Sequence, residues 1–279
     1  MSRLASVLVA LLVAAGCGGP PPAPSIPVGS TSDPESELVA HLYAAALRFY
    51  GNPAHVRTVP DPFGGLDSGE IRVAPGFTGR LLQRLEPDAP ARSEVQVYRS
   101  LVSALPEGVA AGDYTTSAQD KPAIAVTEMT AEDWGARDVT ELVRRCGEVS
   151  LGALTGASRP SVLGICELPK AREFADEAAL FGSLQSGEID AAWTTTAAPD
   201  VPSEVAVLSD KTALIRAENL VPLYRRNELT ESQVLALNEI AGVLGTAGLT
   251  EMRRQVAEGA DPGAVAGQWL EAHPLGIGN

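Results

Sequence analysis

The sequence predicts an α/β fold, on three observations. Short extended stretches rich in Val, Ile, Ala and Leu alternate with amphipathic runs at helical spacing. Ser/Thr/Asp-type capping signals open several of those runs, and Gly or Pro closes several. From Thr230 to the C-terminus the pattern is helical. Alternating β and α elements followed by a helical tail imply parallel or mixed sheets covered by helices.

Taken in order, Ser32-Asp33-Pro34-Glu35 is a capping-box pattern with proline in the first turn. It opens a helix with Val39, Leu42, Tyr43, Ala46 and Phe49 on one face, stopping at Gly51. His55–Val59 is extended, and Pro60, Pro62, Gly64 and Gly65 break it. Helices are expected over Thr78–Leu85 and Ser93–Leu105, the second ended by Pro106 and Gly108. Ala123–Thr127 has strand length, Asp138–Arg145 reads as helix and Glu148–Leu154 alternates like a strand. Glu173–Ser186 reads as one helix closed by Gly187. Ile189–Thr194, Glu204–Leu208 and Asn219–Tyr224 are strand candidates. Thr230-Glu231-Ser232-Gln233 is a second capping box, followed by apolar residues at Val234, Leu237, Ile240, Ala241 and Leu244. Further helices follow Thr246 and Asp261-Pro262.

The N-terminus carries different information. Arg3, an apolar stretch from Leu4 to Ala15 and the ending Ala14-Ala15-Gly16-Cys17 have the layout of a secretory signal. The small residues before Cys17 resemble a bacterial lipobox, which implies removal of residues 1–16 and lipidation of Cys17. The run is shorter than the about 20 residues a membrane span needs. An ordinary cleaved signal with an incidental cysteine is the alternative. Either way the protein is expected outside the cytoplasm, and the lipobox places it on the outer face of the cell membrane. Residues 17–25, rich in Gly and Pro, read as a tether, because this composition supports neither helix nor ladder. The body behind it, about 250 residues, suffices for one large or two medium domains.

The 279 residues carry a formal net charge of −14, and loss of Arg3 with the signal adds one more negative unit. Such a body repels phosphate backbones, so nucleic acid is not an expected partner. Hydrophobic residues make up 45% and aromatics only 5%, so the core is built mainly from Ala, Val and Leu. With Cys17 acylated, Cys146 and Cys166 remain as a pair in an oxidising location, and a disulfide is expected, worth about 3 kcal/mol. Two free buried thiols are the alternative. His41, His55 and His273 have no ligand-like spacing to the cysteines, so no metal and no cofactor are expected.

A series of landmarks then appears in order. Val28-Gly29-Ser30 precedes Glu35. Ser68-Gly69-Glu70-Ile71 is followed by Pro75-Gly76-Phe77-Thr78-Gly79. Asp120-Lys121 leads into Ala123–Thr127, and Ser186-Gly187-Glu188-Ile189-Asp190 into Trp193-Thr194-Thr195. Leu208-Ser209-Asp210-Lys211 comes before Asn219-Leu220-Val221-Pro222-Leu223. Over nearly the whole body this series resembles the substrate-binding proteins of ABC importers for osmoprotectants of the glycine betaine/choline/carnitine type. The resemblance implies a two-lobed, type II periplasmic-binding-protein-like fold with two crossover segments and a solute in the cleft. Lobe 1 is expected over residues 26–120 plus 222–279, and lobe 2 over residues 121–221.

In that family a quaternary ammonium sits among tyrosine faces beside an aspartate, because a cation without N–H donors is best held by the negative face of an aromatic ring. By resemblance, the first cage tyrosine falls on Phe77, and a nearby threonine falls on Arg80. The aspartate falls on Asp120, the aromatic two residues later on Pro122, and the lobe 2 tyrosine on Trp193. The last tyrosine falls on Glu218, with Asn219 beside it. Two aromatic walls are thus retained, and Arg80 and Glu218 bring charge where the family has neutral groups. Ordinary structural roles remain open for each: Phe77 and Trp193 in the core, Asp120 in a turn, Arg80 on a solvent face.

The resemblance implies a lipid-anchored receptor that closes on a quaternary-ammonium solute, or a related small molecule, and docks on an ABC permease. No enzyme is expected: Gly-x-Ser-x-Gly, His-Glu-x-x-His and phosphate-cradling glycine loops are missing from the sequence. The alternative is a non-transport lipoprotein that kept the fold and binds another, for example aromatic, small molecule.

Overall fold

The computed structural model describes residues 24–276; the expected signal segment, Cys17 and most of the tether lie outside the described residues. The chain begins with β1 (Ile26–Ser30), α1 (Pro34–Phe49), β2 (Ala54–Thr58), α2 (Pro62–Ser68), β3 (Val73–Phe77), α3 (Thr78–Leu85), α4 (Glu94–Ala104) and β4 (Val109–Ala111). It continues through β5 (Pro122–Thr127), α5 (Glu128–Trp134), α6 (Thr140–Arg144) and β6 (Leu151–Leu154), then β7 (Val162–Leu163), β8 (Cys166–Glu167) and β9 (Arg172–Phe174). Next come α7 (Glu177–Gln185), β10 (Ala191–Thr195) and β11 (Val205–Val207). The remainder is β12 (Leu220–Arg225), α8 (Glu231–Val243), α9 (Thr246–Ala257) and α10 (Pro262–Ala272).

Two mixed sheets organise these elements. One has the order β2-β1-β3-β12-β4 and the other β11-β5-β10-β6-β9. In the first, β1 is parallel to β2 and β3, while β12 runs antiparallel to β3 and β4. In the second, β6 is parallel to β9 and β10, while β5 runs antiparallel to β10 and β11. Each sheet carries its own helices and core, giving two lobes. The chain passes from the first lobe to the second beside Asp120 and returns beside Glu218. The passing segments pair antiparallel: Gln119 bridges Asn219, and the Asp120 N–H donates to the Glu218 carbonyl at 2.9 Å.

Local chemistry explains most boundaries. Asp33, rather than Ser32, caps α1 and accepts the N–H groups of Glu35 and Ser36. Pro34 has no N–H to cap and its fixed φ already suits the first turn, so the acid directly before it takes the cap. α1 is buried nearly all round, from Leu38 to Leu47, because it packs on the first sheet and against α8, α9 and α10. Phe49, expected on the buried face, is exposed in the last turn, where that packing ends. The Thr230/Gln233 capping box forms as expected.

Several segments depart from the sequence reading, β3, β4 and the β7–β8 hairpin among them, and three others show a local cause. The expected break at Pro62-Gly64-Gly65 is a short helix, α2. Its glycine at Gly65 serves close packing: a Cβ there would stand 3.1 Å from Ile71. The helix expected over Glu173–Ser186 splits, because Asp176 accepts the Ala179 N–H and caps α7, leaving Arg172–Phe174 to pair with β6. α5 was not anticipated; the Thr127 hydroxyl, accepting from Thr130 N–H, turns the end of β5 into a helix start.

Cys146 and Cys166 are joined in a disulfide, with Cα atoms 5.6 Å apart. It ties the turn after α6 to the β7–β8 hairpin. Among the described residues no helix is long and apolar enough to cross a membrane.

Candidate functional site

Where the two crossovers run side by side, a cavity of about 290 Å³ opens between the lobes. Lobe 1 contributes Glu35 from α1, Arg80 from α3 and Arg253 from α9. The crossovers contribute Asp120 and Glu218. Lobe 2 contributes Trp193 and Thr195 from β10 and Glu177 and Leu180 from α7.

Asp120 is the centre of the charge arrangement. It is 1% exposed, and each oxygen takes one arginine: Oδ2 accepts from Arg80 Nη2 at 2.8 Å and Oδ1 from Arg253 Nη1 at 2.7 Å. Glu35 closes the cluster, accepting from Arg80 Nη1 at 2.9 Å and standing 3.3 Å from Arg253. Burial alone would push both carboxyls up. At Asp120 the Arg253 charge, the Thr195 hydroxyl and the Arg80 charge outweigh it and hold the group below the usual aspartate range. At Glu35 burial wins, reinforced by the neighbouring Asp120 charge, and its proton affinity is raised.

Glu218 is held differently. Its carboxylate accepts the Arg80 backbone N–H at 2.9 Å and lies over the first turn of α3, beside the Gly79 N–H. Helix N-termini favour negative charge. A Cβ on Gly79 would come within 2.5 Å of the Ala217 carbonyl and 2.7 Å of Glu218 Oε1, so glycine is what admits the carboxylate. Even so, burial dominates and raises the Glu218 pKa to about 7.

The residues singled out in the sequence fall into three groups. Arg80, Asp120, Trp193 and Glu218 share the inter-lobe cavity, with Pro122 at its edge. Trp193 also belongs to the lobe 2 core, packed with Ile124, Val126 and Leu142, and presents an edge of that core to the cleft. Asn219 lies behind the cavity, fully buried: its N–H donates to Thr78 Oγ1 at 3.1 Å and its Nδ2 to the Thr115 carbonyl at 2.8 Å, tying the return crossover to lobe 1. Phe77 does not share the cavity. It lies in a neighbouring compartment of about 340 Å³ built from lobe 1, and the Arg80 guanidinium lies over its ring, 4.4 Å from the centroid. Arg80 and Glu35 line both spaces and stand between them.

Sequence reasoning missed Glu35, Glu177, Thr195 and Arg253 as cleft residues. Glu35 belongs to a helix-capping pattern, and its position in the opening landmark is the available signal. Arg253 sits on the polar side of an ordinary amphipathic helix, 133 residues from Asp120, and nothing local marks it.

Two α/β lobes joined by paired crossovers, with a cavity at the junction, define a solute-binding protein of the two-lobed, type II periplasmic class. Residues 24–272 match the family model OpuAC, the substrate binding domain of ABC-type glycine betaine transport system, and the chain belongs to that family. Its members are binding proteins and not enzymes. The fold is similar to that of a glycine betaine/carnitine/choline ABC transporter protein, with a TM-score of 0.75 at 14% identity over 89% of this chain and 98% of that one. It is also similar to apo YehZ from Escherichia coli, with a TM-score of 0.70 at 21% identity over 90% and 99%. A choline binding protein solved with choline gives 0.55 at 14% identity over 89% and 88%. No curated protein matches the sequence.

Proposed function

We propose that this chain is the extracytoplasmic receptor of an ABC importer, anchored by lipid on Cys17, which captures a small solute between residues 26–120 plus 222–279 and residues 121–221. The solute is a quaternary-ammonium compound or a related small molecule, delivered to the membrane permease after hinge closure. One observation carries the reading: the cavity at the paired crossovers is walled from both lobes, with Arg80 and Asp120 on one side and Trp193 on the other. A ligand touching both walls binds the closed arrangement better than the open one, and that difference drives closure. The Cys146–Cys166 disulfide fits an oxidising compartment.

Thermal unfolding of the full-length chain against glycine betaine, choline, carnitine, amino acids and aromatic acids tests the reading. A solute that binds only the folded protein raises Tm by mass action. A Tm increase with a member of the panel, abolished by Trp193→Ala, is the expected result. A flat response across the panel would remove the receptor reading and leave a non-transport lipoprotein.

A further inference from the structure

We propose that Arg80 is the specificity-determining residue of the cleft: its guanidinium is a resident cation over Phe77, and the solute that binds is a small carboxylate without a quaternary ammonium. The proposal rests on the receptor reading above and names the class of ligand for the same site.

An aromatic face with a carboxylate beside it is the environment that attracts a cation. Here that environment exists and is filled. The guanidinium lies 4.4 Å from the Phe77 centroid and donates 2.8 Å to Asp120 and 2.9 Å to Glu35. A cationic solute entering this place would have to displace a group that the ring and two carboxylates already hold. A guanidinium is also a better occupant than a quaternary ammonium, since it satisfies the ring and donates to both acids.

Arg80 and Glu35 line both the Phe77 compartment and the inter-lobe cavity. The pair therefore separates the two aromatic residues that a cage would need together. In this geometry a solute in the cleft meets Trp193 but not Phe77.

Asp120 has an arginine on each oxygen, and Glu218 is engaged with the first turn of α3. Arg80 and Arg253 each use only part of a five-donor guanidinium in these bonds. The adjoining pocket, which shares Pro122 and Glu218 with the cavity, adds Arg92, Arg159 and Arg216. Among the described residues neither Arg92 nor Arg216 pairs with a carboxylate; their guanidinium groups reach backbone carbonyls instead. Across the cavity and this pocket five arginines stand against four carboxylates, Glu35, Asp120, Glu177 and Glu218, and with Asp120 and Glu218 already engaged the excess of donors favours an acceptor-rich ligand.

The test is isothermal titration of the full-length chain and of Arg80→Thr with three probes: choline, glycine betaine and 3,3-dimethylbutanoate. The last has the shape of glycine betaine with carbon in place of the quaternary nitrogen. The wild-type chain is expected to bind 3,3-dimethylbutanoate at least tenfold more tightly than choline. Arg80→Thr opens the Phe77 compartment to the cleft and is expected to gain at least tenfold in choline affinity. A choline affinity that is unchanged or lower in Arg80→Thr overturns the proposal, including the case in which neither protein binds choline. Arg80→Gln, with a Tm check on both variants, provides a second reading should the threonine variant unfold. The two levels of inference fail differently. Wild-type binding of choline or glycine betaine that depends on Trp193 would sink the Arg80 proposal and leave the receptor standing. Absence of Trp193-dependent binding to any probe sinks both.

Discussion

Replacing Glu218 with glutamine should make the protein more stable at alkaline pH and leave it nearly unchanged at acid pH. Glu218 is buried, and its pKa is raised from 4.5 to about 7, mainly by burial and against the pull of the α3 N–H groups and the Arg80 charge. At 1.36 kcal/mol per pKa unit, that distance is worth about 3 kcal/mol. The folded state holds the proton more tightly than the unfolded state. Its stabilising effect is therefore complete below about pH 4.5 and is lost as pH rises to about 7. Above that, wild-type protein must keep a carboxylate in a place that disfavours it, whereas glutamine has no proton to lose and still offers an acceptor to one α3 N–H. Urea unfolding of wild-type and Glu218→Gln from pH 4 to pH 8.5 reads the difference directly. Contributions from Glu35, Glu177 and His41 are common to both proteins and cancel. The stability difference should grow from near zero to as much as about 3 kcal/mol in favour of the variant. Parallel pH profiles would refute the reasoning, and a variant less stable at pH 8 would show that the α3 N–H groups and Arg80 outweigh burial.

Three further outcomes follow from the packing and charge arrangement. Gly79→Ala should cost about 1–3 kcal/mol in chemical denaturation, since the new methyl meets the Ala217 carbonyl and the Glu218 carboxylate inside contact distance. Reduction of Cys146–Cys166 should lower stability by about 3 kcal/mol, as seen by unfolding with and without reductant; no change would mean the reduced, unfolded chain keeps that loop closed. Double-mutant cycles should give a larger coupling of Asp120 to Arg253 than to Arg80, about 1–3 against about 1 kcal/mol, because the Arg253 side chain is 21% exposed and the Arg80 side chain 49%. The reverse order would mean that solvent screening does not rank these pairs.

Much of the fold was legible because its boundaries are local. Thr230 and Gln233 cap α8 through groups three residues apart, and α3 occupies the expected span Thr78–Leu85. The misreadings share a cause in tertiary packing. Gly64 and Gly65 looked like breakers, yet Gly65 is small so that Ile71 can lie against α2. Phe49 has the spacing of a core residue but stands past the end of the packed surface. The site was legible only through ordered landmarks, which brought Asp120, Trp193, Arg80 and Glu218 to attention. They did not reveal that Phe77 would be covered, because the side chain that covers it lies three residues away and its direction is fixed by acids at positions 35 and 120. Arg253 had no signal at all.

The buried Asp120 explains why a receptor of this family would carry its own cation. An isolated buried carboxylate is costly, and breaking a buried pair by removing one partner costs about 3–5 kcal/mol. A cleft that relied on its solute for the counter-charge would leave Asp120 poorly satisfied whenever it was empty, and would gain that whole interaction on binding a cation. Here Arg253 and Arg80 satisfy Asp120 before any solute arrives. The interaction that would reward a cationic ligand has been moved inside the protein, where it no longer distinguishes the bound state from the empty one. Only contacts made anew on binding can drive closure. In this cleft those are the Trp193 side chain and the remaining guanidinium donors, and discrimination among solutes follows from what these groups recognise rather than from the ring of Phe77.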